Sequence, residues 1–131
     1  MTSDPNVEFL HDLYADWARG NFRRTDVFDP ALVFVTDYPE RATYYGLEGL
    51  REGWLGWLAA WDDFTTEAEE FISAGNGCFL VAVHLTGRGK ESGVPIDAHA
   101  FNVVKLVEGK IVRLELHMQR EDALEAAGLS E

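Results

Sequence analysis

Three histidines, His84, His99 and His117, fall on what read as three successive strands. An even-numbered loop in the first hairpin brings His84 beside His99. A three-residue loop at Val107-Glu108-Gly109 in the next sets Leu106 against Lys110 and His99 opposite His117. Three imidazoles in a row are close enough to share a divalent metal, and zinc accepts histidine ligands. No spacing motif supports that reading, and the alternative is surface or interface histidines hydrogen-bonded to Glu115 or Asp97. A second set is aromatic. Tyr14, Trp17, Trp54 and Trp57 recur at helical spacing, and amphipathic rings are frequent pocket liners, with ordinary core packing as the alternative. Tyr14 stands out because a buried phenol seeks a partner and can donate to an oxyanion. Cys78 sits beside a glycine turn with no particular base near it and reads as structural. Gly87-x-Gly89 is a hairpin feature and matches no phosphate loop.

The elements that must position these groups follow from periodicity. Asp4 as N-cap, Pro5 in the first turn and Gly20 as stop bound a helix whose Val7, Leu10, Leu13, Tyr14 and Trp17 share one face. Asn21 caps a short second helix from Phe22 to Phe28, closed by Asp29-Pro30. Ala31 to Thr36 is β-branched and aromatic, a strand ending near Asp37. Tyr38-Pro39-Glu40-Arg41 turns the chain into a short strand at Thr43-Tyr44-Tyr45. Leu47 to Ala60 returns to a helical period. Gly53 and Gly56 within it each cost ~1 kcal/mol against alanine, which marks places where something packs closely on the helix. Phe64 to Ser73, Cys78 to Gly87, Ile96 to Val107 and Lys110 to Met118 form an antiparallel meander, followed by a short amphipathic helix from Glu121 to Ala127. The fold class is α+β, a strongly curved antiparallel sheet wrapped around the N-terminal helices. Phe79, Phe101 and Val103 lie on strands apolar on both faces, and a homodimer through the outer sheet face would hide them.

Composition narrows the function. The 131 residues are 47% hydrophobic and 12% aromatic, enough to build a core. The 11 Lys and Arg against 23 Asp and Glu leave a net charge of −12, which excludes a general nucleic-acid binder and an anionic membrane surface as partner. No apolar run approaches the ~20 residues of a membrane span, and Met-Thr-Ser-Asp-Pro-Asn has no basic or apolar signal region, so a cytoplasmic location is expected. The acidic set Asp62-Asp63 and Glu67-Glu69-Glu70 reads as a solvated face.

Several stretches carry a family resemblance: LYADWARGN from Leu13 to Asn21, DPALVF from Asp29 to Phe34, YGLEGLR from Tyr45 to Arg51, EGKIVR from Glu108 to Arg113, and REDALEAAGL from Arg120 to Leu129. In these the chain resembles the SnoaL-like branch of the nuclear transport factor two-like superfamily, which includes ketosteroid isomerases and limonene epoxide hydrolases. The resemblance implies one SnoaL-like domain over residues 1–131, a cystatin-like α+β barrel with a pocket between the concave sheet and the helices. It implies a small, largely apolar organic ligand, with Trp17, Tyr45, Trp54, Trp57, Leu114 and Met118 as pocket residues and no cofactor. Asp37 stands near the isomerases' aspartate base, although a turn-capping aspartate reads equally well there. Asn102 would occupy the position of the aspartate in their oxyanion hole, and with Tyr14 it would donate to a developing oxyanion. The Arg-x-Asp pair of the epoxide hydrolases is replaced by Asp97-Ala98-His99. Two functions remain open: cofactor-independent proton transfer on a carbonyl compound by an isomerase, cyclase or hydrolase, or a non-catalytic ligand-binding or dimeric scaffold domain.

Overall fold

The computed structural model describes residues 5–22, 26–37 and 41–129. Along them run α1 (Pro5–Ala18), β1 (Phe28–Thr36), β2 (Ala42–Tyr45), α2 (Gly46–Ala59), β3 (Trp61–Gly75), β4 (Cys78–Gly89), β5 (Pro95–Val107), β6 (Lys110–His117) and α3 (Arg120–Ala127). The expected cap at Asp4, the middle of the expected second helix and all but Arg41 of the expected Tyr38-Pro39-Glu40-Arg41 turn lie outside the described residues. What is described of that helix is not helical: Asp26 and Val27 form a turn and Phe28 already belongs to β1. Pro30 falls inside β1, where the register with β6 shifts between Phe28 and Val33. A proline lacks the N–H a regular ladder needs, so it sits where the ladder is interrupted.

The six strands form one sheet in the order β2-β1-β6-β5-β4-β3. Every neighbouring pair is antiparallel except β1 and β6, which run parallel, so the sheet is mixed. Strands lie ~4.8 Å apart, so a flat sheet of this width would hold its edges more than 20 Å from each other. Yet Phe34 of β1 and Phe64 of β3 pack on rings one turn apart on α2, Phe34 on Trp54 at 5.9 Å and Phe64 on Trp57 at 5.7 Å. The sheet is therefore strongly curved around the helices, and its concave side packs on α1 and α2.

The β5–β6 hairpin differs from the expected three-residue loop. Glu108 and Gly109 both have positive φ, 49° and 78°, and make a two-residue turn between the paired Val107 and Lys110. Both central residues of that hairpin turn need the left-handed region. A bulge between Lys105 and Leu106 then pairs Asn102 with Leu116 and Phe101 with His117. The net displacement is two residues, so faces are kept while partners change: His117 lies opposite Phe101 and not His99. His84 pairs directly with His99.

Two apolar cores result. The larger fills the concave side with α1 residues Leu10, Leu13, Tyr14 and Trp17 against sheet residues that include Phe79, Val81 and Val104. The smaller lies on the convex side, where Ala123 and Leu124 of α3 cover Leu80 and Val103. This corrects the apolar case for a dimer: Phe79 points inward, Val103 is covered by the chain's own last helix, and Phe101 lies partly under the Arg120 guanidinium.

Candidate functional site

Between α2 and the concave sheet lies a cavity of about 490 Å³. Trp17 of α1 and Trp54 and Trp57 of α2 wall it on the helical side, while Leu85, Asn102 and Leu114 line it from β4, β5 and β6. The rings interlock: Trp54 meets Trp17 at 5.7 Å and stands edge-on to Phe34 at 5.9 Å, and Trp57 meets Trp61 at 5.5 Å and Phe64 at 5.7 Å. Trp54 and Trp57 thus line an open cavity and do not seal it. Among the described residues Glu52 is the one acidic side chain on the wall, it is solvent-exposed, and no Lys or Arg lines the cavity.

Glycines shape the α2 wall in two ways. A Cβ on Gly53 would lie 2.8 Å from the Tyr44 ring, and one on Gly49 would lie 3.1 Å from the Tyr44 Cβ. This pair, one turn apart, makes the groove in which Tyr44 seats. Gly56 differs, since nothing lies within 4 Å of a Cβ there. It borders the cavity and packs against nothing, contrary to the expectation from sequence.

Asn102 is 4% exposed and its Nδ2 donates to the Tyr14 hydroxyl at 2.7 Å. Burial pushes the Tyr14 phenol well above its ordinary range, against the weaker opposing effect of that hydrogen bond, so Tyr14 is neutral. Tyr14 does not line the main cavity. It borders a second recess between α1 and β3, about 570 Å³ in volume, so its hydroxyl meets the main cavity only through Asn102. The Asn102 Oδ1 and the Trp61 Nε1 are buried without a hydrogen-bond partner, and both residues line the main cavity.

The other expected site residues are dispersed. Phe34 and Thr36 of β1 line the cavity. Alternation along a strand sends Asp37, the next residue, toward the other side, where it lies 4.0 Å from the Arg41 guanidinium. Tyr45 is 72% exposed, because Tyr44 takes the inward position of this four-residue strand and its neighbour must face out. Met118 packs against the core just past the end of β6 and does not reach the cavity wall. The sequence reading missed Phe34, Tyr44, Trp61, Phe64 and Leu116. The Gly49–Gly53 spacing was the available signal for Tyr44.

Each histidine of the expected trio is held by a carboxylate on the convex face. His84 and His99 stack 4.8 Å apart; Asp97 bonds His84 at 2.6 Å and Glu69 bonds His99 at 2.9 Å. The Asp97 hydrogen bond raises the His84 imidazole above its ordinary value. His117 is buried and its Nε2 lies 2.8 Å from Glu115, which also accepts from Arg113. Chiefly the His117 hydrogen bond, then Arg113, pulls the Glu115 carboxyl down to about 2. Among the described residues no cluster of three or more His, Cys, Asp or Glu side chains could hold a metal ion. Burial raises the Cys78 thiol, the direction opposite to that of a reactive cysteine. No described helix is long and apolar enough to cross a membrane.

A sequence profile described as the SnoaL-like domain matches residues 10–114. No curated protein matches the chain at a significant level. Solved structures of similar shape include an NTF2-like protein of unknown function from Burkholderia pseudomallei, with TM-score 0.76, 14% identity, and coverage of 94% of this chain and 97% of that one. TerC co-crystallised with polyporic acid gives 0.73 at 17% identity, covering 95% and 99%. A protein with a ketosteroid isomerase-like fold from Catenulispora acidiphila, in complex with trimethylamine, gives 0.71 at 16% identity, covering 98% and 96%. At such identities the likeness is one of fold.

Proposed function

This chain belongs to the SnoaL-like domain family, whose profile spans most of its length, and from that premise we propose that it binds a small, largely apolar organic molecule in the cavity between α2 and the sheet. The observation that carries the reading is the combination of an aromatic wall with few buried polar side chains, Asn102 and Thr66 among them, lining the same space. Small-molecule sites have this composition: much apolar surface and few placed polar groups. Two structural relatives were crystallised with small organic molecules, polyporic acid in one and trimethylamine in the other, which is consistent with such a role for the fold.

Proton transfer on a carbonyl compound would need a base at the cavity. Asp37 pairs with Arg41 instead, and Glu52 is the one described carboxylate on the wall, at its solvent side. Binding, with turnover absent, is therefore the reading the geometry supports best. Gly56→Trp tests it, because Gly56 is an exposed residue bordering the cavity with nothing within 4 Å of an added Cβ, so a large side chain there can obstruct the cavity without displacing core residues. Titration calorimetry with 2-naphthol is expected to give saturable one-to-one binding to the wild type and none to the variant. Equal binding by a folded Gly56→Trp protein would place the ligand elsewhere.

Association of two copies through the convex face is part of the same proposal, on narrower ground than the sequence suggested. The surface left by α3 is the half-buried Phe101 with the stacked His84 and His99. Light scattering at micromolar concentration is expected to read the mass of a dimer, and a monomer mass removes this element.

A further inference from the structure

All four tryptophans of the chain, Trp17, Trp54, Trp57 and Trp61, line the main cavity, and Phe34, Tyr44 and Phe64 add three more rings. Several of these rings meet at steep angles: Trp54 stands at 80° to Phe34, and Trp57 at 85° to Phe64 and 55° to Trp61. An edge-on pair leaves at least one ring with both faces clear of its partner, whereas a parallel stack covers a face of each. The face of an aromatic ring is the negative part of its quadrupole and attracts a cation. Formal charge at the cavity has the same sign. Among the described residues Glu52 is the one charged side chain on the wall, at its exposed side, and the whole chain carries −12.

We infer that this cavity takes an organic cation, a small molecule with a quaternary ammonium group on an apolar body, whose charge is held by the tryptophan rings. The inference rests on the binding reading above and deepens it. The chemistry of the wall selects this kind of cation. A primary ammonium is compact and strongly hydrated, and its N–H groups need acceptors once buried; the wall has few polar side chains to offer. A quaternary ammonium has no N–H to satisfy, and aromatic faces are its usual recognition surface. The cavity, about 490 Å³, has the size of a site for a drug-sized molecule, so a bare headgroup would leave most of it unfilled. An anion meets no Lys or Arg on the wall and is repelled by the net charge of the chain.

Three phenols of similar shape and different charge test this in titration calorimetry: (4-hydroxyphenyl)trimethylammonium, its neutral isostere 4-tert-butylphenol, and 4-hydroxybenzenesulfonate. Hydrophobic transfer alone favours the neutral compound, because the cation must give up hydration. With the wild-type protein the cation is nevertheless expected to bind roughly tenfold tighter than 4-tert-butylphenol, the size of a desolvated cation–π contact, and the sulfonate not measurably. The ratio should persist in ~1 M salt, where charges more than ~3 Å apart are screened; a ratio that falls to one there would assign the preference to the overall charge and overturn the ring contact. Gly56→Trp should abolish binding of the cation, and undiminished binding would place it outside the cavity and overturn the inference. Trp57→Leu should lower the ratio several-fold while 4-tert-butylphenol still binds, a change that general loosening of the core would not produce. If that variant fails to fold, Trp54→Leu carries the same comparison, and a folded variant that keeps the full ratio counts against the inference. Wild-type protein that takes 4-tert-butylphenol as tightly as the cation overturns the inference and leaves the binding reading standing. If none of the three binds, the inference falls and the 2-naphthol titration decides the binding reading.

Discussion

Gly53 and Gly56 lie three residues apart in α2, and replacing each with alanine should move stability in opposite directions. Both substitutions gain ~1 kcal/mol of intrinsic helix preference. At Gly56 nothing lies within 4 Å of the added methyl, so the gain is kept. Unfolding entropy of ~2.1 cal/mol/K per residue converts 1 kcal/mol in a chain of 131 residues into a Tm rise of about 3–4 °C. At Gly53 the methyl would stand 2.8 and 2.9 Å from two Tyr44 ring carbons and 3.1 Å from a Phe34 ring carbon. Tyr44 cannot swing freely away, because its ring packs 5.9 Å from that of Phe34. Overpacking of this kind costs ~1–3 kcal/mol, so the net change is a loss of about 1 kcal/mol and a Tm fall of similar size to the other variant's rise. Thermal unfolding followed by far-ultraviolet circular dichroism, with urea midpoints as a second measure, reads both. A stabilised Gly53→Ala would mean that Tyr44 is not seated against α2, and the cavity wall built on that contact would be wrong. A Gly56→Ala no more stable than the parent would refute the open space assigned beside it.

Acid should expose the Arg113–Glu115–His117 cluster. Glu115 falls from an ordinary 4.5 to about 2 in the folded protein, so its stabilisation is complete above pH ~4.5 and is lost as pH drops toward 2. Arg113 is 47% exposed and partly screened by solvent, which limits the contribution to about 2 kcal/mol. Urea unfolding at pH 6 and pH 3 should show Glu115→Gln losing less stability between them than the parent does, and equal losses would sink the assignment. Leu124→Ala removes the α3 side chain that covers Leu80 and Val103 and is expected to cost ~2–4 kcal/mol in the same assay; a loss below about 1 kcal/mol would mean that α3 is not firmly docked.

Long periodic segments were legible in the sequence, and short ones were not. The α1 stripe of Leu10, Leu13, Tyr14 and Trp17 is buried as its spacing predicts, and the four strands from β3 to β6 follow in the expected order. The inward face of Asn102 also emerged, because the Glu108-Gly109 turn and the bulge between Lys105 and Leu106 together displace the register by two residues, which preserves alternation. The same displacement separated His117 from His99, since turn type depends on two positive φ angles that Val107-Glu108-Gly109 does not declare. Asp37 and Tyr45 were placed at the cavity although each lies one residue from the side chain that reaches it. A four-residue strand offers too little alternation to fix parity, and the deciding contact, Tyr44 on Gly49 and Gly53, joins two elements. The parallel pairing of β1 with β6 has no local signal at all, since no turn connects them. Neither does the docking site of α3, which turned an apparently exposed apolar face into a second core.

The sheet ends on β3, fifteen residues long and paired on one side only. An open backbone edge of that length is a template on which further chains could add strand by strand into ribbons. Here the ladder shifts between Asp62 and Thr65 and again between Ala68 and Glu70, and Glu67, Glu69 and Glu70 project from the exposed rim. Broken spacing denies a newcomer a continuous row of partners, and Glu69 and Glu70 are engaged by His99 and Arg120 of their own chain. The long strand that closes the cone around its cavity can therefore stay unpaired in solution without seeding aggregation.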